Sequence, residues 1–274
     1  MMSELRLPAI DAHAHYGVYD SGSTASFADR LMSGTAAEVA RRAQMVDIRW
    51  TVVSPLMAML PRGHGNAFAG NVEAAEVVAQ TPGLLQYVVI DPRDDRTFAQ
   101  AHDLLQQPKC VGIKIHPEEH CYPIKEYGYR IFEFAAARRA VVLTHSSESR
   151  SLAADFVSFA DEFPEVQLIL AHIGCGCDGD LTHQVRAIQQ SKQGNMFADT
   201  SSASSITPGL IEWAVHEIGA ERVLFGTDTP LYFAPMQRAR IDYAELSDAD
   251  KLAILYGNAW KLFDLDHALA NVDH

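Results

Sequence analysis

The 274-residue sequence predicts an α/β fold, a distorted (β/α)8 TIM barrel that forms a single domain over residues 1–274. Eight short apolar runs alternate with longer helical patterns along the chain. Polar residues stand at the ends of five consecutive runs, 29, 27, 27 and 29 positions apart: His116, His145, His172, Asp199 and Asp228. Each interval holds one strand, one helix and two loops, which favours a barrel over an open doubly wound sheet.

The eight predicted strands are rich in β-branched and aliphatic residues, and turn residues end several of them. Pro55 follows the second strand, and Asp91-Pro92 closes the third. The first strand covers residues 7–15, and the others cover 50–54, 84–90, 111–115, 141–144, 166–171, 195–198 and 222–225.

Helical patterns fill the gaps between the strands, with Thr35 as the N-cap of the first helix and Gly219 at the end of the last one before strand eight. The predicted helices cover 35–46, 71–80, 98–106, 126–138, 149–162 and the stretch that starts at Pro208, and residues 247–250 resemble a capping box. The loop 16–34 is rich in Ser and Gly, and we expect it to cover the mouth of the barrel.

Composition and charge argue against several classes of protein. The formal net charge of −13 disfavours a surface for nucleic acid or anionic membranes, because both favour basic patches. The first residues lack a basic segment followed by an apolar core, so no signal peptide is expected, and no apolar run approaches the ~18–20 residues of a membrane helix. Four cysteines are too few for a disulfide framework, so we expect reduced thiols and a cytoplasmic location.

The first predicted strand ends in three polar residues at alternate positions, Asp11, His13 and His15. Because alternate side chains of a strand share one face, we expect one carboxylate and two imidazoles to point the same way. Neutral imidazole is the commonest protein ligand of zinc and similar cations. The C-terminal ends of barrel strands converge, so Lys114 and the other strand-end residues join this group. So many ionisable groups would be costly to desolvate without a metal or a substrate to pair with.

The polar residues belong to motifs that follow the strands in order: Asp11-Ala-His13-Ala-His15, Gly112-Ile-Lys114-Ile-His116-Pro117, Thr144-His145, Ala171-His172-Ile-Gly174, Gly226-Thr-Asp228 and Tyr256-Gly-Asn-Ala-Trp-Lys-Leu-Phe263. This set resembles the amidohydrolase superfamily, and specifically its amidohydrolase-related (amidohydrolase 2) branch of metal-dependent hydrolases and decarboxylases. The resemblance covers nearly the whole chain.

The resemblance implies that His13, His15, His145 and Asp228 bind one divalent metal, with zinc the first expectation and manganese the second. The pKa of a water on such a metal falls toward neutrality. Asp228 is expected to take a proton from that water and pass it to a leaving group, while His172 orients the water or polarises the substrate. Asp11 is expected to support the two histidines of the first strand from behind.

Lys114 has three interpretations. One metal is usual in the branch that this chain resembles, so Lys114 is expected to contact an anionic group of the substrate. A structural ion pair with Asp91 or Asp199 explains the residue nearly as well. A carboxylated lysine that bridges two metals, as in binuclear members of the superfamily, is less expected. His116 and Tyr122 are expected to line the same pocket.

The sequence favours a metal-dependent hydrolase, in which metal-activated water attacks the carbonyl of a lactone, ester or amide. The alternative is a metal-dependent, non-oxidative decarboxylase of an aromatic or unsaturated acid. Hydrolysis is favoured because the chain is short beside such decarboxylases and only Arg62 and Arg150 in the loops are candidates for holding a carboxylate. A non-catalytic barrel that binds a small molecule is a second alternative, and the resemblance also allows a homodimer.

The loop after strand six carries a competing pattern. Residues 174–179 match Gly-x-Gly-x-x-Gly, and Asp199 follows 20 positions later, which is the outline of a dinucleotide-binding turn. Such a turn normally opens the first βαβ unit of a Rossmann domain, so the match at strand six is given little weight. Cys175 and Cys177 beside His172 would allow a thiolate metal site, but one Cys-x-Cys without a second pair is a weak signal.

Overall fold

A computed structural model describes residues 7–23 and 26–270, and it contains an eight-stranded parallel sheet in the order β1 to β8. Each strand pairs with the next one along the chain. The strands are β1 (Ala9–Tyr16), β2 (Ile48–Pro55), β3 (Leu84–Val89), β4 (Cys110–Ile115), β5 (Val141–Thr144), β6 (Gln167–Leu170), β7 (Met196–Asp199) and β8 (Val223–Leu224). The predicted barrel is thereby confirmed, with each strand within a few residues of its expected place.

The barrel closes irregularly, because β8 has only two residues and the chain beyond it continues the contact with β1. The Ala12 amide donates to the Phe225 carbonyl at 2.9 Å, and the Asp228 amide donates to the His13 carbonyl at 2.8 Å. These backbone hydrogen bonds fix Asp228 directly beside the end of β1.

Helices form the outer layer, and side chains cap several of their starts. Thr35 accepts from the Glu38 amide at 3.3 Å and its own amide donates to the Glu38 carboxylate at 2.8 Å, which is a capping box. The α-helices are α1 (Phe27–Leu31), α2 (Ala36–Gln44), α3 (Ala67–Gln80), α4 (Asp95–Leu104), α5 (Ile124–Ala136), α6 (Val157–Glu162), α7 (His183–Gln190), α8 (Leu210–Ile218), α9 (Ala234–Asp242), α10 (Asp248–Leu252), α11 (Asn258–Leu262) and α12 (Leu265–Ala268). Short 3-10 helices cover Leu56–Ala58, Ala153–Phe156, Ala203–Ile206 and Ala220–Arg222, and a π-helical turn covers Ala253–Gly257. None of the helices in the described residues has both the length and the apolarity to cross a membrane.

Apolar side chains on the two faces of the strands form two buried layers. One layer fills the barrel and includes Ile10, Leu85, Tyr87, Leu143 and Ile169. The other lies between strands and helices, where alternate strand residues pack against the helical faces. A barrel filled in this way is a packed core, so a ligand must bind at one of its ends.

Two segments differ from the predicted helices and loops. The helix expected over 149–162 is shorter, because 149–152 is tied to the loop after β4: the Arg150 amide donates to the Glu118 carboxylate at 2.5 Å, and the Arg150 carbonyl accepts from Ile124 at 2.9 Å. A 3-10 helix and then α6 follow. The loop 16–34 contains α1, and Gly17 and Gly34 exchange backbone hydrogen bonds of 2.7 and 3.0 Å that close its ends.

Arg238 on α9 is fully buried and connects three parts of the chain. Its Nη2 donates to the Leu7 carbonyl at 2.6 Å, and its Nη1 donates to the Val46 carbonyl at 3.1 Å. Its Nε donates to the Asp242 carboxylate at 2.8 Å. The guanidinium therefore holds the segment before β1 and the turn after α2 against α9.

We expect Arg238→Met to lower the free energy of unfolding by about 3 kcal/mol, because it removes a charged donor from one buried carbonyl, one partly buried carbonyl and a partly buried carboxylate. Arg238→Lys keeps the charge but reaches fewer acceptors, so its effect should be smaller. Urea unfolding followed by circular dichroism measures both variants. Equal stability of Arg238→Met and the wild type would contradict this role.

Candidate active site

A cavity of about 300 Å³ lies at the C-terminal ends of the strands and contains most of the predicted site residues. His13 and Lys114 are 1% exposed, whereas the side chain of Arg62 is 47% exposed. The first two residues therefore lie at the base of the cavity and Arg62 lies at its mouth. Apolar and aromatic side chains from the loops form its wall: Tyr19, Leu56, Met59, Leu60, Leu231 and Tyr232.

A β-bulge in β1 decides which of its polar side chains face the cavity. The register against β2 shifts between Asp11 and Ala14, so β1 holds one extra residue over this stretch. His13 and His15 line the cavity, but Asp11 does not. Its carboxylate accepts from the Thr227 hydroxyl at 2.5 Å and from the Thr227 and His13 amides at 3.0 and 3.1 Å. The expectation that all three share one face is wrong for Asp11, which supports the backbone and not the rings.

His172 and Asp228 are held in the left-handed backbone region, with φ values of 75° and 54°. Residues other than glycine rarely adopt it, and the cost of about 1–3 kcal/mol must be offset by the surrounding structure. The His172 amide donates to Asp199 at 3.0 Å, and the Asp228 amide donates to the His13 carbonyl at 2.8 Å. Both side chains line the cavity, so these bonds hold two strained residues where a ligand would meet them.

Three donor atoms converge at the base of the cavity, on His13, His15 and Asp228, which we call the donor cluster. Asp228 Oδ1 lies 3.2 Å from His15 Nε2 and 3.8 Å from His13 Nε2. The Nδ1 protons are donated elsewhere, by His15 to the Ser54 carbonyl at 3.1 Å and by His13 to Asp199 at 2.9 Å, so both Nε2 atoms carry lone pairs. Tetrahedral ligands about 2.1 Å from one ion lie roughly 3.4 Å apart. The spacing and the chemistry of the donor cluster therefore fit a divalent cation.

Asp199 at the end of β7 is fully buried and holds two histidines of the site. Its Oδ2 accepts from His13 Nδ1 at 2.9 Å, and its Oδ1 accepts from the His172 amide at 3.0 Å. The Ser201 hydroxyl donates to Asp199 and lies 2.9 Å from His172 Nδ1, so it accepts that proton and leaves His172 Nε2 with its lone pair. Burial lowers the pKa of both His13 and His172, which keeps the rings neutral. Asp199 and Ser201 thus set the tautomer of both rings.

Lys114 at the end of β4 is buried and contacts the donor cluster. Its Nζ donates to His13 Nε2 at 3.0 Å. Burial lowers the pKa of Lys114 to about 8, and the nearby carboxylates partly oppose that shift. In the part of the chain that the structure describes, Lys114 forms no ion pair within 4.0 Å, and Asp91 pairs with Arg93 at 2.7 Å instead. The structure therefore does not contain the ion pair between Lys114 and Asp91 that was one of the alternatives.

His145 lines the cavity but stands apart from the donor cluster. Its Nε2 lies 2.9 Å from the Ser147 hydroxyl and 3.3 Å from the Glu148 carboxylate. Its Nδ1 is buried and has no hydrogen-bond partner among the residues that the structure describes. The ring stacks on that of His116, which also lines the cavity, with centroids 4.5 Å apart. The structure therefore brings three of the four predicted metal ligands together and leaves the fourth beside them.

Tyr122 does not line the cavity, in contrast to the prediction. Residues 116–122 turn back on themselves, and the Tyr122 amide donates to the Pro117 carbonyl at 2.9 Å. The turn directs the Tyr122 ring into the core beside Ile124, where it packs on Tyr127 with centroids 5.5 Å apart. Burial there raises the pKa of the phenol well above its ordinary value.

The glycine-rich loop after β6 has a structural explanation. A Cβ at Gly176 would lie 2.5 Å from the Asp180 carbonyl oxygen, so the tight turn requires glycine. Asp199, which a dinucleotide site would need for a ribose, is committed to His13. Cys175 lines the cavity, but among the described residues no cysteine belongs to a group that could hold a metal.

Three charged side chains from three different loops meet at the mouth. Arg62 Nη2 lies 2.9 Å from Glu119 Oε1 and 3.3 Å from Glu148 Oε1. The hydrogen bond with His145, helped by Arg62, lowers the pKa of Glu148 to about 2. We call Arg62, Glu119 and Glu148 the mouth triad. Sequence reasoning missed both glutamates, because they lie 57 and 86 positions from Arg62 and form no local motif. The regular strand-end spacing places Asp199 at the end of the barrel, but it does not predict the hydrogen bond between Asp199 and His13.

The fold and the strand-end residues agree with a known family. Residues 10–265 match the Amidohydrolase family, and the chain belongs to it.

Similar proteins include decarboxylases and a proposed hydrolase. A gamma-resorcylate decarboxylase of Polaromonas sp. strain JS666 is 30% identical over 120 residues, which cover 39% of this chain and only 36% of that relative. A dihydroxybenzoic acid decarboxylase of the same strain was solved with manganese and the inhibitor 2-nitroresorcinol. It has a TM-score of 0.75 at 16% identity, and the superposition covers 98% of this chain and 99% of that one. A proposed 2-pyrone-4,6-dicarboxylic acid hydrolase from Pseudomonas putida has a TM-score of 0.69 at 15% identity, with coverages of 96% and 99%. At these identities the two structural similarities show the fold alone.

We expect Asp199→Asn to weaken Mn²⁺ binding roughly 10- to 100-fold, because an amide N–H facing His13 Nδ1–H reverses the tautomer that leaves Nε2 free. Isothermal titration calorimetry with Mn²⁺ measures the loss. Asp11→Asn is the matched control, since this buried carboxylate contacts no ring nitrogen. Equal weakening in both variants would contradict a specific role for Asp199.

Proposed function

We propose that this protein is a metal-dependent decarboxylase that releases CO2 from an aromatic acid without oxidation. The observation that carries the proposal is the donor cluster, where two imidazole lone pairs and a carboxylate face one another below an apolar and aromatic wall. The sequence alone favoured a hydrolase. Similarity to two decarboxylases, one of them at 30% identity, gives the decarboxylase alternative more support.

One divalent ion is proposed to bind His13, His15 and Asp228, with His145 as the fourth ligand. The buried Nδ1 of His145 supports this role, because no group in the described part of the chain forms a hydrogen bond with it. Zinc and manganese both accept nitrogen and carboxylate donors, and manganese is bound in the Polaromonas structure. Bound there, the ion would stabilise negative charge on the substrate carboxylate and an adjacent oxygen.

Lys114 is proposed to bind the carboxylate of the substrate. Its Nζ donates to the lone pair of His13 Nε2, and one lone pair cannot accept from Lys114 and bind a cation at once. In the loaded protein Lys114 is therefore free to donate to an anionic oxygen in the cavity. The two-metal alternative would instead need a carboxylated Lys114, for which the contact with His13 gives no support.

Asp228 is proposed to supply the proton, and His172 to orient the substrate. When the bond between ring and carboxylate breaks, CO2 leaves and the electron pair stays on the ring carbon, which must gain a proton. The Asp228 carboxylate would take up a proton from solvent, pass it to this carbon and return to the ionised form that binds the cation. His172 donates its Nδ1 proton to Ser201, so its Nε2 can accept a hydrogen bond from a substrate hydroxyl. Both side chains line the cavity.

Hydrolysis of a lactone or ester is the second candidate, and the similarity to the Pseudomonas hydrolase favours it. The same residues would act: Asp228 would take a proton from water and pass it to the leaving oxygen, and His172 would orient that water. A non-catalytic barrel has the least support, because a binding protein has no need of two strained polar residues beside the donor cluster.

The decarboxylase proposal is tested by incubating Mn²⁺-loaded protein with 2,6-dihydroxybenzoate and other hydroxybenzoates. We expect CO2 and the decarboxylated ring, measured by NMR, and a loss of turnover of about 10³-fold or more in Asp228→Asn. Its circular dichroism spectrum should match the wild type. Asp155→Asn is the control, because this aspartate pairs with Lys125 outside the cavity.

The outcomes separate the candidates. Hydrolysis of lactones without CO2 release from any acid would favour the hydrolase over the decarboxylase. Turnover that Asp228→Asn leaves unchanged would contradict the role of Asp228. Failure of the loaded protein to act on either class would favour the non-catalytic barrel.

A further inference from the structure

The mouth triad contains Arg62, which supplies the only guanidinium among the described residues that line the cavity. Of the described residues that line the cavity, Arg62 and Lys114 are the lysines and arginines. Arg150, which the sequence offered as another carboxylate binder, instead pairs with the buried Glu118 at 3.3 Å and does not line the cavity. A second carboxylate on a substrate would therefore have to use Arg62.

The hydrogen-bond donors of Arg62 are already occupied. Its Nε and Nη2 donate to the two oxygens of Glu119 at 3.3 and 2.9 Å, and its Nη1 and Nη2 donate to the two oxygens of Glu148, both at 3.3 Å. Four of its five N–H groups are thus used. The paired edge that usually holds a carboxylate is the edge that Glu119 occupies.

The charge of the mouth triad also opposes a second anion. One guanidinium faces two carboxylates, so the triad has a net charge of −1 in its ionised form. The base of the cavity differs, because it holds Lys114 and donors that fit a cation. An acid with its reacting carboxylate at the base would place a group on the far side of its ring near this negative mouth.

We infer that Glu119 and Glu148 withdraw Arg62 from substrate binding, so that the cavity selects acids with one carboxylate and disfavours those with a second carboxylate opposite the first. This inference rests on the proposed function and adds a specificity determinant to it. It makes Glu119 the residue to change, because Glu148 also contacts His145 whereas the Glu119 side chain contacts only Arg62 in the triad.

The test uses two non-reacting probes whose nitro group replaces the reacting carboxylate. The first is 2-nitroresorcinol, and the second is 3,5-dihydroxy-4-nitrobenzoate, which adds one carboxylate opposite the nitro group. Calorimetry on the Mn²⁺-loaded protein gives a dissociation constant for each probe. We expect the wild type to bind 2-nitroresorcinol more tightly than the carboxylated probe. Glu119→Gln should shift the ratio of the two dissociation constants about tenfold in favour of the carboxylated probe. Adding Arg62→Gln should abolish that shift.

Glu217→Gln is the matched control, because Glu217 lies away from the cavity and pairs with Arg186 at a distance of 3.5 Å. The ratio of the two dissociation constants in this variant should equal that of the wild type. If 2-nitroresorcinol binds but Glu119→Gln leaves the ratio unchanged, the inference is overturned and the proposed function stands. A wild type that prefers the carboxylated probe overturns the inference as well. If the loaded wild type binds neither probe, both the inference and the proposed aromatic substrate are contradicted.

Discussion

The buried carboxylate of Asp199 is the interaction on which the site depends. An isolated carboxylate without water would be costly, and here the His13 ring, the His172 amide, the Ser201 amide and the Ser201 hydroxyl all donate to it. The bonds from His13 and His172 also orient two residues that line the cavity. Of the two groups near His13 Nδ1, the Asp199 carboxylate at 2.9 Å can only accept, whereas the Ser201 hydroxyl at 3.0 Å can also donate. Asp199 therefore keeps the proton on Nδ1 and leaves His13 Nε2 with a lone pair toward Asp228.

Departures from a regular barrel bring the remaining groups to the base of the cavity. The bulge in β1 turns His13 and His15 into the cavity and Asp11 away from it. The short β8 lets the following residues bend across β1, and positive φ values at His172 and Asp228 aim both side chains at the base. These irregular features cost stability locally, and backbone hydrogen bonds to neighbouring strands offset that cost.

Sequence reasoning was most successful where structure repeats. The strand-end spacing predicted the barrel, and it placed His13, His15 and Asp228 at one end because parallel strands share a direction. Alternation along a strand does not reveal a bulge, so the sequence predicts the wrong face for Asp11. Tyr122 follows a turn whose direction depends on backbone hydrogen bonds, which the sequence does not encode in any local pattern.

Contacts between distant loops could not be predicted from the sequence, for a different reason. The sequence marks Arg62 as a candidate for holding a carboxylate. The two glutamates that pair with it lie on other loops, and the barrel geometry brings them to it. The orientation of His145 depends likewise on Ser147 and Glu148, which no metal-ligand motif includes. Residue identity therefore predicted which groups gather at the barrel end, and packing decided which of them face one another.

The proposed site has one cation at its centre, held by His13, His15 and Asp228. Anomalous diffraction at the manganese edge from crystals of Mn²⁺-loaded protein locates that cation directly. One peak per chain, within about 2.3 Å of His13 Nε2, His15 Nε2 and an Asp228 oxygen, is the predicted result. Two peaks bridged by a modified Lys114, or a peak away from these three side chains, would contradict it.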